Sequence, residues 1–356
     1  MIAKMFRSTV CLLILSTSAC VREAPADQPS AVAVKAENDV VYAKIGDEEL
    51  KLDIAAPEKG EGPFPAILVI HGGAWRGGSK DGNREMLVQF ARRGYVAISP
   101  EYRFCPKVTF PAQVHDVKAS VRWLRSHARE RKVDSDHIGA MGFSAGGHLS
   151  LMLGLTGPED GLEGDVKPGD PSSRVQAVVN FFGPSDLAAA DIPDISRPLV
   201  KDFLGGTPQE KPEAAAKASP LTFVSKGDAP VLTFQGTKDP LVPFTQAIKL
   251  AEAQTREGVP GRVELLLGAG HGWGGDDMTH TMLEAARFFD TYLKPSTQTT
   301  LRLSPRESLV KRGDRNDRSV GAEVAIGDLK VDRADSTVAV QIHRRMITRA
   351  SHAGAQ

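Results

Sequence analysis

The residues of this chain best equipped to attack a carbonyl group are a serine, an aspartate and a histidine, each set among or beside glycines. Ser144 lies in Gly142-Phe143-Ser144-Ala145-Gly146, directly after a strand-like run (138–143) and directly before a helix-like one. A serine on so tight a strand-to-helix turn holds its hydroxyl exposed, and glycines are needed around it because side chains there would meet neighbouring backbone. A serine hydroxyl is a weak nucleophile at neutral pH and needs a base. His271, in Gly268-Ala269-Gly270-His271-Gly272-Trp273, has the chemistry to take that proton and return it to a leaving group. Asp239, in Gly236-Thr237-Lys238-Asp239-Pro240, has the chemistry to fix the tautomer of the imidazole and to stabilise its charged form. Taken singly, these are a capping serine, a turn-forming aspartate and a surface histidine. In the order Ser, Asp, His, each following a strand-like run, they read as one catalytic set.

A fourth segment, His71-Gly72-Gly73-Ala74-Trp75, follows an apolar run that ends at Ile70. The backbone N–H groups of Gly72 and Gly73, with that of Ala145 at the start of a helix, are the expected donors to a developing oxyanion. Trp75 and Trp273 flank the set and are expected either to line an acyl or aromatic pocket or to fill the core. His148 is expected to pack or hydrogen-bond, and Asp116 to pair with a basic residue such as Arg103. Cys105 reads as a packed thiol. The sequence contains no HExxH motif and no paired-cysteine spacing, so no metal site is expected.

The elements that must position these groups are legible as alternating runs. Leu50, Leu52 and Ile54 alternate with polar neighbours, whereas 66–70 and 95–99 are short and largely apolar, as expected of strands buried on both faces. Further strands are predicted over 138–143, 177–181, 231–235 and 263–267. Val114, Val117, Val121 and Leu124 form one stripe on a helix predicted over 111–131. This alternation predicts an α/β fold: a mostly parallel central sheet with helices on both faces. Residues 186–222, rich in proline and alanine, interrupt it and are either a small cap insertion or a long loop with one helix.

The segments HGGAWRGG from His71, Pro100-Glu101-Tyr102-Arg103, FPAQVHDVKASVRWL from Phe110, GFSAGGHLS from Gly142 and GAGHGW from Gly268 together resemble the bacterial esterase/lipase branch of the α/β-hydrolases related to hormone-sensitive lipase. The resemblance covers residues 40–293 and extends to acetyl-xylan and feruloyl esterases. It implies an α/β-hydrolase fold and carboxylic ester hydrolysis with no metal or organic cofactor. It also implies Ser144 as nucleophile, Asp239 as acid, His271 as base, and Gly72, Gly73 and Ala145 as oxyanion donors. The chain has Ala74 where the family motif has a third glycine, and FQGTKD where relatives often carry HGTKD.

The ends carry a different message. Lys4 and Arg7, an apolar stretch over 10–15 and small residues before Cys20 predict an export signal over 1–19. Cys20 in that position resembles a lipobox cysteine, so membrane attachment through a lipidated Cys20 is expected, with a plain secretory signal as the alternative; either way the protein is expected to be periplasmic, cell-surface or secreted. The apolar stretch is shorter than the roughly 20 residues of a spanning helix. Residues 20–38 read as a flexible spacer, 39–294 as the hydrolase domain and 295–356 as a charged, mainly disordered tail in which Val338, Val340 and Ile342 alternate as a short strand would. Lysine and arginine balance aspartate and glutamate at 44 each, which leaves no global field to gather nucleic acid. The resemblance to this esterase branch, in an exported protein, implies a small-molecule or polysaccharide-linked ester as the partner. The alternatives are a peptidase or aryl-formamidase using the same triad, and a tethered binding protein on a hydrolase scaffold.

Overall fold

The computed structural model describes residues 32–295 and the backbone of a further strand at 338–343. The export signal, Cys20 and most of the spacer lie outside the described residues. Among the described residues, no helix is long and apolar enough to cross a membrane.

Among the described residues, nine strands form one sheet: β1 (Val34–Ile45), β2 (Glu48–Pro57), β3 (Phe64–Ile70), β4 (Val96–Pro100), β5 (Val133–Phe143), β6 (Ala177–Phe181), β7 (Val231–Gly236), β8 (Gly261–Leu266) and β9 (Val338–His343). Their order is β1-β2-β4-β3-β5-β6-β7-β8-β9. The β1–β2 and β2–β4 pairs are antiparallel, and every later pair is parallel. Two boundaries differ from expectation. The chain becomes a strand at Val34, inside the predicted spacer, because β1 hydrogen-bonds along β2 from Val34 opposite Pro57 to Ile45 opposite Glu48. At the other end, β9 pairs with β8 from Val338 opposite Gly261 to His343 opposite Leu266, so part of the predicted tail extends the sheet.

The helices are α1 (Arg84–Arg92), α2 (Ala112–Ser126), α3 (Ala128–Arg131), α4 (Ala145–Leu155), α5 (Arg197–Leu204), α6 (Pro212–Lys217), α7 (Phe244–Glu257) and α8 (Gly275–Leu293). The single helix predicted over 111–131 is two, interrupted at His127, whose backbone leaves the helical region and whose Nδ1 meets the Trp123 carbonyl at 2.8 Å.

Strand side chains alternate between two cores because successive residues point to opposite faces. Ala66, Leu68 and Ile70 of β3 join one core with the α2 stripe and Leu149 of α4. Ile67 and Val69 join the other, with Leu87 and Phe90 of α1 and Phe289 and Leu293 of α8. Burial on both faces explains why β3 reads as a continuous apolar run. Residues 186–222 form a small cap that carries α5 and α6. It is tied to the body by the Ser196 hydroxyl donating to the Leu241 carbonyl at 2.8 Å, by Phe110 N–H donating to the Phe203 carbonyl at 2.8 Å, and by an Arg76–Asp202 ion pair.

Candidate active site

The loops at the carboxyl ends of β3, β5, β7 and β8 converge on one point, the edge at which open parallel sheets bind ligands. Ser144 sits between β5 and α4 with φ 54° and ψ −118°, a conformation that L side chains rarely adopt. The close packing of the turn explains its glycines. A Cβ on Gly146 would lie 2.1 Å from the Ile70 carbonyl oxygen, and one on Gly142 would lie 2.3 Å from the Gly146 carbonyl carbon. The strained residue is thus held from both sides by backbone.

Three side chains form a continuous hydrogen-bonded line. His271 Nε2 is 2.8 Å from Ser144 Oγ, and His271 Nδ1 is 2.8 Å from Asp239 Oδ2. An ionised carboxylate can only accept, so the proton belongs on Nδ1 and the Nε2 lone pair receives the serine hydroxyl. The Asp239 side chain is fully buried. Burial pushes its carboxyl upward, but the hydrogen bond from His271 and those from the N–H groups of Val242 and Leu241 outweigh it and hold the pKa below the usual value. Leu241 and Val242 donate to Oδ1 at 2.8 and 3.0 Å. Phe182, at φ 43°, packs edge-on against the His271 ring with centroids 4.8 Å apart.

The loop after β3 passes directly beside the serine. A Cβ on Gly72 would lie 2.8 Å from the Phe143 carbonyl oxygen and 3.4 Å from Ser144 Cβ; on Gly73, at φ 120°, it would lie 2.1 Å from the Gly77 carbonyl oxygen. Only glycine lets the backbone come this close. Ala145 is the first residue of α4, where N–H groups have no partner within the helix. Gly72 and Gly73 line the same cavity as Ser144.

That cavity, about 420 Å³, is walled on one side by the cap, open to solvent and overwhelmingly apolar, lined by Trp75, Leu187, Ile192, Leu199 and Val200 beside Ser144 and His271. The two tryptophans part company. Trp75 lines the cavity and stacks on Phe203 with ring centroids 4.2 Å apart. Trp273 is not among the lining residues: Gly272, at φ 104°, turns the chain so that the indole packs 5.1 Å from the Phe182 ring and donates to Thr281 Oγ1 at 3.0 Å.

His148 is fully buried. Its Nδ1 accepts from Trp75 Nε1–H at 3.2 Å and its Nε2 contacts the Ala218 carbonyl at 2.7 Å, linking the β3 loop to the cap. Asp116 forms a bidentate pair with Arg103 and also accepts from its backbone N–H at 2.9 Å. Cys105 is buried, and burial raises its thiol pKa to about 11. Among the described residues, no group of three or more His, Cys, Asp or Glu is placed to hold a metal ion. Phe182, Gln235 and the cap residues at this site do not stand out by residue type. Their signal is positional: Phe182 follows β6 and Gln235 ends the apolar run of β7, both at the sheet edge where the site had to lie.

Comparison with known proteins agrees with this architecture. The chain is 34% identical over 220 residues to the Mycobacterium tuberculosis protein named Esterase LipC, covering 59% of this chain and 53% of that protein. It spans about half the length of the mycobacterial relatives it matches. A structure of the Thermogutta terrifontis thermophilic esterase Est2 with propionate bound superposes with TM-score 0.61 at 29% identity, covering 76% of this chain and 98% of that one. A truncated carbohydrate esterase from gut microbiota superposes with TM-score 0.59 at 28% identity, covering 74% and 100%. The BD-FAE family model matches residues 52–254, which include Gly72, Ser144 and Asp239 and stop short of His271. By that match and by its sheet, the chain belongs to the BD-FAE family of α/β-hydrolases.

Proposed function

We propose that this protein is a serine carboxylic ester hydrolase acting on short-chain or aryl acyl groups, with Ser144 as nucleophile, His271 as general base and acid, and Asp239 as its orienting carboxylate. The observation that carries the reading is the unbroken line Asp239 Oδ2, His271 Nδ1, His271 Nε2, Ser144 Oγ, with both contacts at 2.8 Å, opening onto an apolar cavity. Ser144 Oγ attacks the ester carbonyl while Nε2 takes its proton, and the buried Asp239 stabilises the resulting imidazolium. The tetrahedral oxyanion is received by the N–H groups of Gly72, Gly73 and Ala145, at about 3 kcal/mol per donor in comparable sites. Collapse expels the alcohol, which takes the proton from His271, and water repeats the sequence on the acyl-enzyme.

The apolar lining suits an uncharged acyl group, and the names of the similar proteins, an esterase with propionate and a carbohydrate esterase, support acyl decorations of polysaccharide as the finer substrate class. The test is hydrolysis of p-nitrophenyl acetate, butyrate and octanoate by the protein and by Ser144→Ala, together with labelling by a fluorophosphonate. The expected result is labelling and turnover by the parent and a loss of at least about a thousandfold in the variant. Equal activity in Ser144→Ala would falsify the assignment of the nucleophile.

A further inference from the structure

We infer that Gln235 is a positioning residue of the triad, its side-chain amide holding Asp239 in the orientation that receives His271; the inference rests on the esterase reading above. Gln235 is the penultimate residue of β7 and is almost wholly buried. Its Nε2 is 2.9 Å from Asp239 Oδ2, the same oxygen that accepts from His271 Nδ1, and 3.1 Å from the Val242 carbonyl oxygen. The two amide hydrogens therefore hold both ends of the acid loop: one reaches the carboxylate and the other the backbone of the residue whose own N–H donates to Oδ1. Asp239 thus accepts from four donors, namely His271, Gln235 and the N–H groups of Leu241 and Val242. Of the two side chains that meet this carboxylate, Gln235 is the one whose donor N–H belongs to a neutral amide.

This geometry has a consequence that a filler residue would not have. A donor to Oδ2 draws electron density from the oxygen that pairs with His271 and so tempers its pull on the imidazole proton. Removing the donor makes the carboxylate a stronger partner for imidazolium, so His271 stays protonated to higher pH and the acid limb of kcat/KM moves upward. The carboxylate also loses one of the contacts that fix its plane, and that loss falls on kcat rather than on KM, because Gln235 is not among the residues lining the cavity.

The experiment measures kcat and KM for p-nitrophenyl butyrate between pH 5 and 9 with the full chain, its Gln235→Leu, Gln235→His and Gln235→Met variants, and unfolding curves for each. Gln235→Leu is expected to lose about tenfold in kcat with KM little changed, and to move the acid limb up by about half a unit or more. Gln235→His, which keeps a ring N–H, should recover most of both. Gln235→Met keeps the length of the side chain but carries no N–H donor, so it should shift kcat and the acid limb as Gln235→Leu does; it decides the matter even where Gln235→Leu fails to fold. An active parent whose folded Gln235→Leu or Gln235→Met variant keeps kcat within twofold and an unmoved acid limb would overturn the inference alone. A parent that neither hydrolyses the ester nor takes up a fluorophosphonate would overturn the esterase reading beneath it.

Discussion

His148 should make the fold itself sensitive to mild acid. Its Nδ1 faces the indole N–H of Trp75 at 3.2 Å, so that nitrogen must carry a lone pair, and its proton sits on Nε2, donated to the Ala218 carbonyl at 2.7 Å. Burial lowers its pKa to about 4, the hydrogen bond to Ala218 opposing only part of the effect. The physical reason is that protonation would bury a charge and set one N–H against another. An unfolded histidine titrates near 6.5. Between these values the unfolded chain binds the proton and the folded chain does not, so the stability contributed by His148 is complete above about pH 6.5 and is lost as pH falls towards 4. At about 1.4 kcal/mol per unit, the loss on going from pH 6.5 to 5 is about 2 kcal/mol. Substitution His148→Gln retains an acceptor and a donor but does not titrate. In urea unfolding followed by tryptophan fluorescence, the variant is expected to be less stable at pH 7.5 by about 1–2 kcal/mol for imperfect replacement of two buried hydrogen bonds. Its further drop between pH 7.5 and 5 should be smaller than that of the parent by about 2 kcal/mol. Groups common to both proteins cancel in this difference, so equal drops would refute the reasoning.

Two other substitutions test the geometry at the sheet edge. Val200, buried on α5 and lining the cavity, should set the chain length accepted, because each excluded methylene forfeits about 0.8 kcal/mol, roughly fourfold in kcat/KM. Val200→Phe is therefore expected to lower the octanoate-to-acetate ratio of p-nitrophenyl ester kcat/KM by about 15- to 60-fold, as for two or three methylenes, and an unchanged ratio would put the acyl group elsewhere. Gly146→Ala would bring a methyl to within 2.1 Å of the Ile70 carbonyl oxygen and 2.6 Å of that of His71, all rigid backbone. We expect a destabilisation of about 3–5 kcal/mol, a fall in Tm of about 6–10 °C and loss of fluorophosphonate labelling; a Tm within 2 °C or so of the parent would mean that this turn is looser than its contacts imply.

What could be read before the fold was known follows from how local each constraint is. The turn at Ser144 is enforced by contacts between segments whose glycines are adjacent in sequence, and the strands buried on both faces announce themselves as apolar runs. β1 did not, because it is an edge strand with most of its side chains exposed, leaving little pattern beyond Val34, Val40 and Tyr42. The alternation at Val338, Val340 and Ile342 was visible, but its partner strand β8 lies more than seventy residues away, and nothing local names it. Trp273 shows the same limit at close range. Standing two residues from His271, it was expected either to line the pocket or to fill the core, and a single positive-φ glycine between them decides for packing: it sends the indole behind Phe182, whose ring then touches the histidine instead. Gln235 could be seen to depart from the motif of the relatives, but its partner was evident only once β7 fixed the direction of its side chain. The residues proposed for bond-breaking chemistry are constrained by type, which is why the sequence offers them as candidates. Those that hold them in place are constrained by direction, which the backbone supplies, and the pH profile of Gln235 variants is where that second kind of constraint becomes measurable.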